Sequence, residues 1–285
     1  MGGTGGTSVS AAGGSAGAAG SAGEGGSAGF GGDTQDGGTD GGEPKDGGKD
    51  GASRPDGGLY SPCPPKGMPC VILPVGDSIT WGSGSTNGGS YRAPLFHLAS
   101  ANMRSITFVG ANMSGPTMVD GLPFPRANSG YSGYNIDTAA GRQGISQFFP
   151  AQVTTYKPDI ILLMIGTNDV DSGETEIPTR LAMLMDTMLN ADPSLLLVVA
   201  QIVPQRKAMP DTKNLQVQAY NAAIPPLVKA RADAGKHVVM VDMYGAFTAN
   251  PDYSTAYLVD RLHPNDTGYQ VMANTWYAAI GPLLR

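Results

Sequence analysis

Five short apolar runs set the architecture: CVILPVG (70–76), SITFVG (105–110), DIILLMIG (159–166), SLLLVVAQIV (194–203) and HVVMVDM (237–243). Each is rich in β-branched residues and too short for a buried helix, so each reads as a strand. Helical patterns alternate with them. YRAPLFHLASANM, RLAMLMDTMLN and TKNLQVQAYNAAIPPLVKARADAG carry helical patterning, the last interrupted at Pro225 and Pro226, and Tyr269, Met272, Trp276 and Ile280 share one face of a final helix. Strands without hydrophobic alternation are covered on both faces. The pattern therefore predicts a three-layer α/β/α sandwich around a five-stranded parallel sheet of flavodoxin-like type. The stretch between about residues 110 and 140 is rich in Gly, Asn and Pro and reads as irregular.

The first 58 residues are different. They hold 23 of the 42 glycines, one aromatic (Phe30) and no apolar periodicity. Such a segment cannot bury enough surface to offset its ordering entropy, so 1–58 reads as a Gly/Ser/Asp-rich linker and 59–285 as one catalytic-sized domain. Eight acidic residues against three basic give the linker −5 of the chain's net −6. The remaining −1 offers no electrostatic case for nucleic-acid binding. The Asp-Gly-Gly spacing in the linker lacks the alternating ligands and closing Glu of a calcium loop. No run of 18 apolar residues exists, which argues against a membrane span, and no leader is visible after Met1. Cys63 and Cys70 enclose PPKGMP, a turn-forming segment, and read as a disulfide. That pairing and the flexible arm imply a secreted or surface-tethered protein.

In a parallel sheet, ligands sit beyond the carboxyl ends of the strands. Three polar segments fall there: Gly76-Asp77-Ser78, Gly166-Thr167-Asn168-Asp169 and the loop DRLHP (260–264). Taken singly, each has a plain alternative. Ser78 fits a turn or helix cap, Asn168 and Asp169 a strand-ending turn, and His263 a solvated loop. The G-x-S-x-G pattern appears only as GGSAG at 13–17 and 25–29, without strand or helix around Ser15 or Ser27, and carries nothing. His97, in an apolar helix face, and His237, at a strand start, read as structural.

The segments together resemble the SGNH (GDSL-type) hydrolases. GDSIT (76–80), GYSGYNI (130–136), GTND (166–169) and DRLHP (260–264) are similar to that superfamily's blocks, in order, across nearly all of 70–285. The resemblance implies Ser78 as nucleophile, His263 as general base and Asp260 as its orienting carboxylate. It implies an oxyanion hole from the backbone N–H groups of Ser78 and Gly133 and the Asn168 side chain, with no cofactor and no metal. The residue types suit acyl transfer: a hydroxyl needs a base, a neutral imidazole supplies one, and the oxyanion needs fixed donors. An Asp-to-His step of three residues lets one turn carry both groups.

GDSIT, SYRAPLFHL, FVGA, GYSGY and DRLHPNDTGY look most like carbohydrate esterase family three, the acetyl xylan esterases. That family commonly carries His-Glu where this chain has Asn128-Ser129. The implied partner is an acetylated polysaccharide or small ester, met by a monomer. Other open readings are a lysophospholipase, thioesterase or short-chain esterase; a silent carbohydrate-binding module; and a phosphate binder, although GDSITWGSGSTNGG lacks a P-loop ending. Tyr131 and Tyr134 fit either a sugar-stacking platform or loop packing.

Overall fold

The computed structural model describes residues 60–206 and 210–285. The linker, with Ser15 and Ser27, lies outside them. The strands are β1 (Cys70–Gly76), β2 (Ile106–Phe108), β3 (Asn112–Met113), β4 (Met118–Val119), β5 (Leu122–Pro123), β6 (Ala127–Gly130), β7 (Ile160–Met164), β8 (Leu196–Ala200) and β9 (Val238–Val241). The α-helices are α1 (Ser78–Trp81), α2 (Arg92–Ala101), α3 (Ala151–Tyr156), α4 (Thr167–Ser172), α5 (Ile177–Ala191), α6 (Thr212–Asp233), α7 (Met243–Thr248), α8 (Tyr253–Ala256) and α9 (Asp266–Ile280).

All five predicted strands form and run parallel in the order β2-β1-β7-β8-β9. Every residue of β7 and β8 is buried, as runs covered on both faces must be. Helices α2, α7 and α9 pack together, and α3, α5 and α6 form a second group. The result is an α/β layered fold with Tyr269, Met272, Trp276 and Ile280 all in the core.

The irregular stretch is more ordered than its composition implies. β2 pairs only with the start of β1; at the other end of β1 its place is taken by β6, parallel, with Val75 opposite Ser129 and Gly76 opposite Gly130. β3 then runs antiparallel to β6, so the sheet is mixed. The sequence ANSG hides this strand because side-chain hydrogen bonds, not apolar character, stabilise it. Asn128 Oδ1 accepts from Gly130 N–H, Asn128 Nδ2 donates to Ser114 Oγ, and Ser129 Oγ donates to Gln152 Oε1. β4 and β5 form a hairpin whose two-residue turn is Asp120-Gly121, both at positive φ. Asp-Gly is favoured in such a turn.

Two expectations need correction. α6 is continuous through Pro225 and Pro226. Pro225 has no N–H for the Asn221 carbonyl, and Gln201 Nε2 donates to that oxygen instead. His97 does not lie on an apolar face: it is exposed and bonded to Asp120. His237 stacks on Tyr60, ring centroids 3.5 Å apart, in a packing role.

Cys63 and Cys70 are disulfide-bonded, with both residues buried and Cα atoms 4.9 Å apart. Closing this short loop restricts the unfolded chain. Replacing both cysteines by serine should lower the unfolding free energy by about 2–3 kcal/mol, read from denaturant unfolding with midpoint and slope both fitted.

Candidate active site

Three strand ends meet at Gly76, which pairs with Met164 of β7 on one side and Gly130 of β6 on the other. A Cβ at Gly76 would lie 2.3 Å from the Met164 carbonyl and 2.4 Å from Thr80 Oγ1. Glycine alone permits that approach. Asp77 then caps α1, its Oδ1 accepting from Ile79 N–H at 2.9 Å, and Ser78 becomes the first helical residue, 8% exposed.

Loop 258–265 approaches from the other side. Asp260 Oδ1 accepts from the N–H groups of Leu262 and His263, both at 2.7 Å, which folds the turn. Asp260 Oδ2 lies 2.7 Å from His263 Nδ1, and His263 Nε2 lies 2.9 Å from Ser78 Oγ. Asp260 is over half exposed, and burial of the remainder raises its pKa. Hydrogen bonds from the His263 ring and the two N–H groups outweigh this and hold it below the usual carboxylate range. Asn265 anchors the far end by capping α9 at Gly268 N–H. Thr86 bonds to Asp266, and the Tyr269 hydroxyl donates to the carbonyls of Ile79 and Ser83. The loop after Ser78 is thus tied to the helix after His263.

Asn168 sits in the first turn of α4, directly beyond β7. Its Nδ2 donates to Tyr134 O at 2.8 Å and its Oδ1 accepts from Arg142 Nη1 at 3.1 Å. Gly133, at φ 79°, lies in the loop after β6, where Arg142 Nη1 also donates to its carbonyl at 3.3 Å. Asp169 is fully buried and accepts from Ile136 N–H, closing that loop onto α4. Tyr131 stacks on Phe148 at 4.4 Å with Tyr134 beside it, and its hydroxyl accepts from Gln152 Nε2. One face of Tyr131 is therefore spent on loop packing. Among the described residues, no three His, Cys, Asp or Glu side chains gather into a metal-holding cluster.

Arg92 is the structural residue that sequence reading left unremarked. It is fully buried, and its guanidinium donates to the carbonyls of Thr80, Trp81, Gly88, Ser114 and Arg126 and to Ser114 Oγ. Two of those carbonyls belong to α1, so Arg92 holds the helix that carries Ser78. Burial lowers its pKa to about 10, which leaves it cationic at neutral pH. Its only sequence signal is a charge opening an otherwise apolar helix.

Two predictions concern this scaffold. Arg92→Met withdraws the guanidinium from five carbonyls, of which Trp81 O and Arg126 O keep a bond from Ser114, and should cost at least about 3 kcal/mol in chemical denaturation. Burial is the main cause that raises Asp77 to about 6 and Asp169 to about 7. Between the ordinary carboxylate range and those values, the folded protein binds more protons than the unfolded chain. Stability should therefore fall as pH rises from about 4 to 7. Thermal melts of Asp169→Asn should show a flatter dependence in the upper part of that window.

A GDSL-like lipase/acylhydrolase family model matches residues 75–271. A multidomain esterase of Ruminococcus flavefaciens is 29% identical over 233 residues, 75% of this chain and 29% of that protein. The chain thus spans less than a third of that relative. A solved family 3 carbohydrate esterase of Clostridium thermocellum shares 33% identity at a TM-score of 0.63, over 76% of this chain and 98% of the other. A carbohydrate esterase family 3 structure from Talaromyces cellulolyticus shares 25% identity at a TM-score of 0.58, over 75% and 97%.

Proposed function

The chain belongs to the GDSL-like lipase/acylhydrolase family, which places it among the carboxylic ester hydrolases, and we propose that it removes acetyl groups from a polysaccharide such as xylan through an acyl-enzyme on Ser78. The observation that carries this reading is the unbroken chain from Ser78 Oγ through the His263 ring to Asp260, 2.9 and 2.7 Å in its two links. Those spacings suit proton transfer.

In the proposed cycle, Ser78 Oγ attacks the acetyl carbonyl carbon while its proton passes to His263 Nε2. The carbonyl oxygen becomes an oxyanion that accepts from Ser78 N–H, Gly133 N–H and Asn168 Nδ2. Collapse breaks the bond to the sugar oxygen, which leaves with the proton from His263. Water then attacks the acetyl-enzyme, gives a proton to His263, and the second collapse returns it to Ser78 as acetate departs. Asp260 stays ionised throughout, fixing the imidazole by its Nδ1–H and stabilising the imidazolium.

The acetyl-polysaccharide assignment is supported by the likeness to family 3 carbohydrate esterases over almost their whole length. Residence outside the cytoplasm is supported by the Cys63–Cys70 bridge.

Ser78→Ala should lower kcat/KM on a chromogenic acetate by at least ~10³-fold, and Asn168→Ala by about 10²–10³-fold, chiefly in kcat. Acetate esters should be hydrolysed faster than octanoate esters, and acetylated xylan should release acetate. Release from octanoate esters or lysophospholipid at equal or greater rate would transfer the assignment to the lysophospholipase reading, and cleavage of small esters without release from acetylated xylan would transfer it to the short-chain esterase or thioesterase reading. An active Ser78→Ala protein would end the nucleophile assignment.

A further inference from the structure

Resting on the oxyanion reading above, we propose that Arg142 positions the oxyanion donors and that Arg142, Asp171 and Arg261 form a charged strut joining them to the loop of Asp260 and His263. Arg142 Nη1 has two hydrogens, and the structure gives each an acceptor: Gly133 O at 3.3 Å and Asn168 Oδ1 at 3.1 Å. One guanidinium nitrogen thus touches both residues that carry the non-serine donors.

The consequence for Asn168 is orientational. A cation at Oδ1 and the Tyr134 carbonyl at Nδ2 fix which end of the amide is which. A flipped amide would set –NH2 against guanidinium and oxygen against oxygen. With one Nδ2 hydrogen held by Tyr134, the second is left for the pocket. Donation to Oδ1 also polarises the amide and makes that hydrogen a stronger donor. At Gly133 the same nitrogen holds the carbonyl of a residue in the left-handed region, φ 79°, and so helps fix the backbone that carries its N–H.

Arg142 is itself fixed. It closes a tight turn with Ala139, each N–H donating to the other's carbonyl, around Ala140 and Gly141, both at positive φ. An alanine there is strained, and strain of this kind persists where surrounding contacts enforce it. Arg142 Nη2 lies 3.8 Å from Asp171 Oδ2, and Arg261 Nη1 lies 2.7 Å from Asp171 Oδ1. Arg261 directly follows Asp260 and also donates to Gln205 Oε1. Asp171, held below the usual carboxylate range mainly by its hydrogen bond from Arg261, remains an anion between the two cations. The strut therefore runs from the loop after β6, across α4, to the loop before α9.

The test is steady-state hydrolysis of a chromogenic acetate by the full chain, with thermal melts alongside. Arg142→Ala should lower kcat about 10- to 100-fold and leave KM within about twofold, since the donors act on the transition state. In an Asn168→Ala background the same change should cost clearly less than it does alone, because one path runs through Asn168. Should Arg142→Ala fail to fold, Arg142→Met reads the same split: it keeps most of the apolar stem and removes both Nη1 hydrogens and the charge facing Asp171. Wild-type kcat in the folded variant, or losses that multiply fully in the double variant, would overturn the proposal. An active Ser78→Ala would instead strike the acyl-enzyme reading beneath it, whereas an inactive Ser78→Ala beside a fully active Arg142→Ala removes the strut alone.

Discussion

The close approach at Gly76 governs the rest of the molecule. Its backbone lies so near the Met164 carbonyl and Thr80 that no side chain fits. That approach lets β1 and β7 end level while β6 closes in from the opposite edge. The segments leaving these three strands carry Ser78, Asn168 and Gly133. Loops alone would hold these segments less closely; the register of the three strands sets where each one starts.

Around that junction the protein uses buried polar groups as struts, and each follows the rule that buried polarity must be satisfied. Arg92 gathers five carbonyls behind α1, two of them from that short helix itself. Asn128 and Ser129 do the same for β6. Both positions are fully buried and engaged in holding β6 to its neighbours. Their polarity is directed inward, and the open rim is left to Tyr134, Trp81 and the loop of Asp260 and His263.

Legibility in the sequence followed the physical origin of each element. The parallel strands were readable because burial on both faces demands continuous apolar runs, and α9 because its buried stripe keeps helical spacing. Three polar segments were readable because strand ends in such a sheet converge, whereas GYSGYNI (130–136) stood out only by its likeness to the superfamily's blocks. Side-chain bonding defeats that kind of reading. β6 is polar and forms through its neighbours; α6 runs through two prolines because Gln201, twenty positions away from Asn221, takes the orphaned carbonyl. Arg92 and Arg142 were invisible for the same reason, since nothing in the local pattern around an arginine says whether it faces water or a cluster of carbonyl oxygens.

The two halves of the site are held by different physics. Asp260 and His263 form a local unit, three residues apart and braced by their own turn, so the carboxylate–imidazole contact owes little to distant parts of the fold. The Ser78–His263 contact is the opposite. It spans 185 positions and relies on the Thr86–Asp266 bonds and the Tyr269 hydroxyl to keep α1 and α9 in step. A substitution that loosens α9 should therefore lengthen the Ser78–His263 contact while leaving the Asp260–His263 contact in place. Tyr269 is the place to see it. Tyr269→Phe keeps the buried ring, removes the bonds to Ile79 and Ser83, and so acts on the Ser78–His263 spacing while the Asp260–His263 turn stays intact.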